Sequence, residues 1–241
     1  MIVNATDEGW EVIHQQAHGL LAVQLAVNWK PELRPIRWIE TLIALTEHDD
    51  GQEEWAGKNH LTKTGAPKDF QIQEYSVTQA RNMVTIALEK SRWNALMVSM
   101  HARFLYEPMQ GKDPQMDEFL EQQRKNQKDW LRKLAVTKEE AQYAYAFLQW
   151  CDAFSLILVQ GHIPPSQRRL EISPGPDGVS YYLSQRADQT LLVDPWPFEC
   201  DEFTAHTEVY HLNELSFKND QELYDAIGKA PIEERKWTIK A

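Results

Sequence analysis

Residues 137–161 read TKEEAQYAYAFLQWCDAFSLILVQG. Thr137 and Glu140 carry the capping-box pattern that opens a helix, and Gly161 followed by Pro164-Pro165 closes it, so a long helix is expected to about Gln160. It is the most apolar helix of the chain. A charged residue, Asp152, nevertheless stands inside it, one turn from Leu148 and one turn from Leu156. A buried carboxylate without a partner costs several kcal/mol or gives up its charge, so Asp152 requires a partner, and a cation would serve.

Outward from this helix, residues 14–160 read almost entirely as helices. One spans Gln16 to Trp29, with Leu21, Ala22, Leu25 and Trp29 at helical spacing, and is stopped by Lys30-Pro31. A second runs from about Ile36 to Glu47, with Ile39, Leu42, Ile43 and Thr46 on one stripe. After a long connection from Asp50 to Tyr75, containing Gly51, Gly57 and Gly65, Ser76 and Gln79 suggest a capping box for a helix through Lys90. A fourth covers Arg92 to Tyr106 with Trp93, Met97, Met100, Phe104 and Leu105 inward, and a charged one covers Met116 to Ala135. Beyond residue 165, turn clusters at 174–178 and at Asp194-Pro195 separate the strand-like runs Val179–Leu183, Thr190–Val193 and Phe203–Tyr210. A short helix, Asp220–Ala226, and a strand, Trp237–Lys240, follow. The expected class is α+β: a mainly α-helical domain over 1–165 carrying a small C-terminal antiparallel β subdomain over 166–241, which Met-Ile-Val at the N-terminus can join as an edge strand.

The 241 residues hold 25 Lys and Arg against 36 Asp and Glu, a formal charge of −11. Binding to a DNA or RNA lattice rests on clustered basic residues, so that class of partner is disfavoured, whereas a small phosphorylated ligand is not. Apolar runs fall far short of the ~20 residues needed to span a bilayer, and MIVNATDEGW has no signal-peptide pattern; no membrane role and a cytoplasmic location are expected. Cys151 and Cys200 have no metal-ligand spacing and are expected to be reduced and structural.

Polar groups on apolar stripes carry the chemistry. His18 shares a face with Ala22, Leu25 and Trp29; His48 and Asp49 close the second helix; His101 lies one turn from Met97 and from Leu105; Asp152 is described above. Singly, a core histidine is more often a satisfied hydrogen-bonding residue and a buried aspartate more often pairs with arginine. Together, two of these imidazoles with the two carboxylates, on three helices, form a suitable ligand set for Mn, Fe, Ni, Co or Zn. Trp29, Trp38, Trp55 and Trp93 read as core residues, and His206 and His211 as surface or sheet residues without a matching carboxylate pair.

The order His18, His48-Asp49, Asp152 resembles the H…HD…D pattern of the HD-domain superfamily of metal-dependent phosphohydrolases over residues 14–160. The strings QQAHGLLAVQLA (15–26), ALTEHDDGQEEW (44–55), VSMHARFLY (98–106) and WCDAFSLIL (150–158), with PWPF (195–198), are similar over nearly the whole chain to an uncharacterised bacterial family of HD-like proteins without assigned function. The resemblance implies an HD-like bundle in which His18, His48, Asp49 and Asp152 hold one divalent transition metal. It also implies His101 as an additional group, for a second metal or for a substrate phosphate. Asp50-Gly51 follows the HD pair where the superfamily often has a basic residue, and a later histidine is missing, so a second metal is not expected.

The activity implied is hydrolysis of a small phosphomonoester or nucleotide by water that the ion activates. Asp50 would accept a proton or hold His48, while Arg103, Lys58 and Lys63 are candidates for phosphate contact and His14 for orienting His18. An HD-fold iron oxygenase, which needs a second metal and His101, and a non-catalytic metal-binding or scaffold protein are the alternatives.

Overall fold

The computed structural model describes residues 1–50, 59–72 and 76–241; Gly51, Trp55, Gly57, Lys58 and Tyr75 lie outside the described residues. Among the described residues, two short strands, β1 (Ile2–Ala5) and β2 (Trp10–Ile13), precede six α-helices: α1 (Gln15–Ala26), α2 (Trp38–Glu47), α3 (Val77–Lys90), α4 (Arg92–Tyr106), α5 (Pro114–Leu134) and α6 (Lys138–Val159). Then come β3 (Leu170–Pro174), β4 (Ser180–Gln185), β5 (Leu191–Asp194), β6 (Glu202–Leu212), α7 (Asp220–Ile227) and β7 (Ile232–Lys240).

Capping chemistry accounts for several starts. Thr137 Oγ1 accepts from the Glu140 amide at 3.1 Å and the Glu140 carboxylate accepts from the Thr137 amide at 2.8 Å, the expected box of α6. Ser91 caps α4 through the Asn94 amide, and Asp113 caps α5 ahead of Pro114. At α3 the expected box does not form, since the Ser76 side chain makes no cap bond.

The buried face of α2 is Thr41, Ala44 and Leu45, whereas Ile39 and Ile43 of the expected stripe are 66% and 40% exposed. Two contacts set this rotation. α1 crosses α2 at Gly19, where a Cβ would stand 2.6 Å from the Thr46 carbonyl oxygen, and the Trp93 indole of α4 donates to Thr41 Oγ1 at 3.0 Å. At the end of α4, Phe104 and Leu105 are exposed and Ala102 and Tyr106 turn inward.

The strands overturn the expectation of a mainly α-helical HD-like bundle with a small C-terminal antiparallel β subdomain. They form one mixed, curled, seven-stranded sheet in the order β1-β2-β6-β7-β5-β4-β3, drawn from both sides of residue 165. Neighbours are antiparallel except β5 and β7, which are parallel. Val12 sits opposite Tyr210 and Glu11 opposite His211, so β2 extends the sheet from the long strand β6, and β1 forms the edge. The reason is burial: Ile2, Val12 and Ile13 are fully enclosed, yet four-residue strands are too short to display a period of two. The edge is covered by the described part of the long connection, where Asp69 Oδ2 accepts from the Val3 amide and the Met1 carbonyl from the Phe70 amide.

Helices α1 and α6 pack on this sheet. Their junction with it is aromatic: Trp29 meets Trp150 at a centroid distance of 4.8 Å, Phe147 at 5.2 Å and Phe198 at 5.9 Å. Trp29, Trp93 and Trp150 are fully buried, each contributing on the order of 2–3 kcal/mol of apolar burial. Both cysteines are free thiols, and among the described residues no helix is long and apolar enough to cross a membrane.

Candidate metal centre

α1, α2, α4 and α6 each send polar side chains to one place. His18, one turn into α1, and His48, the residue that ends α2, are both about 99% buried, and each anchors its ring in the same way. His18 Nδ1 meets the Gln15 carbonyl, and His48 Nδ1 meets the Leu45 carbonyl at 2.7 Å, in both cases three residues earlier. A carbonyl only accepts, so each Nδ1 carries the hydrogen and each Nε2 turns its other face inward. The two Nε2 atoms stand 3.1 Å apart, and Asp152 Oδ1 lies 3.3 Å from both. Asp49 Oδ2 lies 3.6 Å from His18 Nε2 and 3.9 Å from His48 Nε2, and Asp49 Oδ1 lies 3.8 Å from His101 Nε2. Thus His18, His48, Asp49, His101 and Asp152, all picked out in the sequence, are brought together. They fall into two triads that share His48: His18, His48 and Asp152, and His48, Asp49 and His101, each with candidate ligand atoms within 4.8 Å of one another.

Electrostatics ask for positive charge at the meeting point. Burial pulls the His48 pKa down, but Asp49 and Asp152 outweigh it and hold the ring protonated up to about 10. Burial, reinforced by the charge on His48, pushes His101 down to about 4. Burial raises the two carboxyl groups, and the facing imidazoles more than reverse this, leaving both Asp49 and Asp152 below the usual carboxylate range. A proton on His48 Nε2 faces His18 Nε2 at 3.1 Å and Asp152 Oδ1 at 3.3 Å, and leaves Asp49 Oδ2 at 3.9 Å. Among the described residues, Asp49 Oδ1 is buried without a hydrogen bond and Asp152 Oδ1 meets only the two imidazole edges at 3.3 Å, and a metal ion could serve both oxygens and both rings at once. The donor set could hold a metal ion.

The second circle of contacts was less visible in the sequence. Gln15, 1% exposed, donates from Nε2 to Asp49 Oδ2 at 3.0 Å while its carbonyl holds His18, so one residue orients two others. A glutamine at the start of an amphipathic helix gives no warning of this. Tyr145 of α6, two turns before Asp152 on the same face, has its ring centroid 6.4 Å from that of His101. Burial, and then Asp152, hold its hydroxyl above the usual phenol range.

Other candidates lie elsewhere. Asp50 is half-buried beside the cluster, 4.0 Å from Lys90; burial raises its pKa and Lys90 opposes the rise. Arg103 turns to α5 and the end of α4, donating to Gln127 Oε1 at 3.0 Å and Glu107 Oε1 at 2.6 Å. Lys63 lines a groove with Ser216 to Asp220, and the His14 ring packs edge-on against Tyr210 at 5.0 Å. His211 lies on the sheet, in β6, as expected, but not without carboxylates: Glu11 and Glu233 gather around it, forming a third constellation of possible ligands.

With this geometry in view, comparison with known proteins is informative: a model for DUF3891, a protein family of unknown function, covers residues 1–214. The chain belongs to the DUF3891 family. The uncharacterised family suggested by the local strings is thereby supported, and the match does not extend to the HD-domain superfamily. No curated protein matches the chain, and no solved structure does. The DUF3891 match takes in all five residues of the cluster together with Gln15 and Tyr145, and it stops two residues after β6, leaving out β7, which lies between β6 and β5 in the sheet.

Proposed function

We propose that this DUF3891 protein is a metal-dependent hydrolase acting on a small phosphorylated substrate. The observation that carries the reading is the convergence of two imidazole Nε2 atoms, each with its Nδ1 fixed on a carbonyl, upon Asp152 Oδ1, with Asp49 beside them. His18, His48, Asp49 and Asp152 would hold one divalent ion, of Mn, Fe, Ni, Co or Zn. Bound there, such an ion supplies a Lewis acid for a phosphoryl oxygen and lowers the pKa of water from ~15.7 toward ~7. The H…HD…D order of these residues supports a phosphoryl substrate through its resemblance to metal-dependent phosphohydrolases.

The chain's own residues do the rest. Because Leu45 already holds His48 Nδ1, Asp50 is not needed to orient that ring and takes the role of proton acceptor, for which a carboxyl raised by burial is suited. Gln15 keeps Asp49 aimed at the cluster. A second reading, a metal-binding protein without turnover, is favoured by one observation: Arg103, two residues from His101, and Lys90, 4.0 Å from Asp50, are engaged by Gln127 and Glu107 and by Glu47.

Elemental analysis of protein purified without chelator, beside His48→Ala and Asp152→Ala, tests the reading. About one ion per chain, absent from both variants while they remain folded, together with phosphomonoester turnover lost in both, is the expected result. Metal without turnover on any phosphomonoester selects the second reading. Failure to take up any of the five metals overturns both.

A further inference from the structure

The rings His18, His48, His101 and Tyr145 form a row, with successive centroids 5.0, 4.8 and 6.4 Å apart. The first three turn polar edges to Asp49 and Asp152. The fourth does not: among the described residues the Tyr145 hydroxyl is enclosed and makes no hydrogen bond, and the neighbouring His101 Nδ1 is likewise buried without one. Two polar atoms on adjoining rings, one from α4 and one from α6, are therefore left unsatisfied at the same end of the row. Buried hydroxyl groups are ordinarily paired, because leaving one unmade forfeits its hydration with no return. His101 Nε2 faces Asp49 Oδ1 at 3.8 Å, beyond hydrogen-bond reach, so a neutral ring can carry its hydrogen on Nδ1 and donate there.

We infer that the Tyr145 hydroxyl and His101 Nδ1 are a pair of hydrogen-bond donors for an oxygen of a phosphoryl oxyanion bound beside the metal cluster. This inference rests on the metal-dependent reading above and adds to it the residues that receive the substrate. Tyr145 is a binding residue whose placement two turns from Asp152 on the same helix ties the anion's position to that of a ligand. It also supplies, from a neutral side chain, what the engaged Arg103 does not.

The test is calorimetric titration of inorganic phosphate into Mn²⁺-loaded wild-type protein and Mn²⁺-loaded Tyr145→Phe, with Mn²⁺ content and thermal midpoint measured for both. The substitution removes one oxygen and keeps the ring, so Mn²⁺ content is expected to stay the same and the midpoint to hold or rise. Phosphate affinity is expected to fall about tenfold, the effect of one hydrogen bond to a charged group. A tyrosine kept for structure gives the opposite pattern, a lowered midpoint with unchanged phosphate affinity, and that result overturns the inference. Equal phosphate affinity in both proteins, or no phosphate binding by wild-type protein that holds Mn²⁺, overturns it while leaving the metal reading standing. No uptake of Mn²⁺ by the wild type strikes the metal reading itself, and the inference falls with it.

Discussion

Two constellations of the same residue types occupy this molecule, and they differ in what neutralises them. On the sheet, His211 Nε2 lies 2.9 Å from Glu233, and Glu11 stands opposite His211 in the strand pairing. Between the helices, His18, His48 and His101 meet Asp49 and Asp152. The sheet cluster already contains its cation. Arg235 grips Glu11 through two bonds of 2.7 and 2.8 Å and reaches Glu233 at 3.1 Å. Its side chains are partly exposed, so water supplies the remainder. In the helical cluster the ion pairs of Asp49 and Asp152 among the described residues are all with imidazoles, and the rings are almost completely enclosed. Proximity of histidines and carboxylates therefore does not define a metal site. A demand for positive charge that only imidazoles meet, away from water, is the better mark of one.

The comparison breaks most directly at the histidines. His18→Ala is expected to abolish metal uptake, and His211→Ala to leave it unchanged; equilibrium dialysis with Mn²⁺ or Zn²⁺ reads both. Loss of metal in His211→Ala would move the site to the sheet.

A smaller effect is expected from the contact that brings α1 to α2. Gly19→Ala places a methyl group 2.6 Å from the Thr46 carbonyl oxygen, a backbone atom, and one helix must shift. About 1–3 kcal/mol of stability should be lost in a urea titration despite the better helix propensity of alanine, with weakened metal binding because His18 is the next residue. Unchanged stability would show that the two helices tolerate separation at this point.

The smallest effect sharpens the sheet side. Folding lowers the Glu11 pKa from 4.5, first through its hydrogen bonds to Arg235, so the pair stabilises the folded protein above that unfolded value and ceases to do so as pH falls through the lower folded value. Glu11→Gln should accordingly cost about 1 kcal/mol at pH 7, with the difference from wild type shrinking below pH 4.5 and vanishing once the folded carboxyl is protonated. Urea titrations at pH 7 and pH 3 measure it, and a difference independent of pH would contradict the ionic origin.

Much of the helical layer was legible because its signals are local. The Thr137–Glu140 box and polar groups on apolar stripes can each be read within a few residues, and all five clustered residues stand out in that way, whereas α1 ends at Ala26, short of the Trp29 to which the Lys30-Pro31 stop would carry it. The sheet was not legible, because its decisive pairing joins Trp10–Val12 to Tyr210–Leu212, some 200 residues away, and a four-residue strand such as WEVI carries too little alternation to identify itself. The orientation of α2 was hidden for a related reason: Gly19 of another helix, rather than the stripe of isoleucines, selects the buried face. Gln15 and Tyr145 escaped notice because a glutamine near a helix start and an aromatic residue at helical spacing have ordinary roles that their spacing cannot distinguish from special ones.

The insertion of β6 between β2 and β7 has a consequence for the order of events during synthesis. Helix α1, which carries His18, packs against β6, so the surface beneath the cluster is missing until residues 202–212 have been made. A nascent chain ending near residue 165 presents the histidines and aspartates on helices beside aromatics, Trp29 and Trp150 among them, that still lack their partners Tyr181 and Phe198. Such late, long-range closure makes for slow folding with exposed apolar surface along the way. Metal captured by the emerging helices would then be held by a scaffold still lacking its floor, which makes ribosome-bound chains arrested before and after residue 212 a direct means of timing when the centre acquires its geometry.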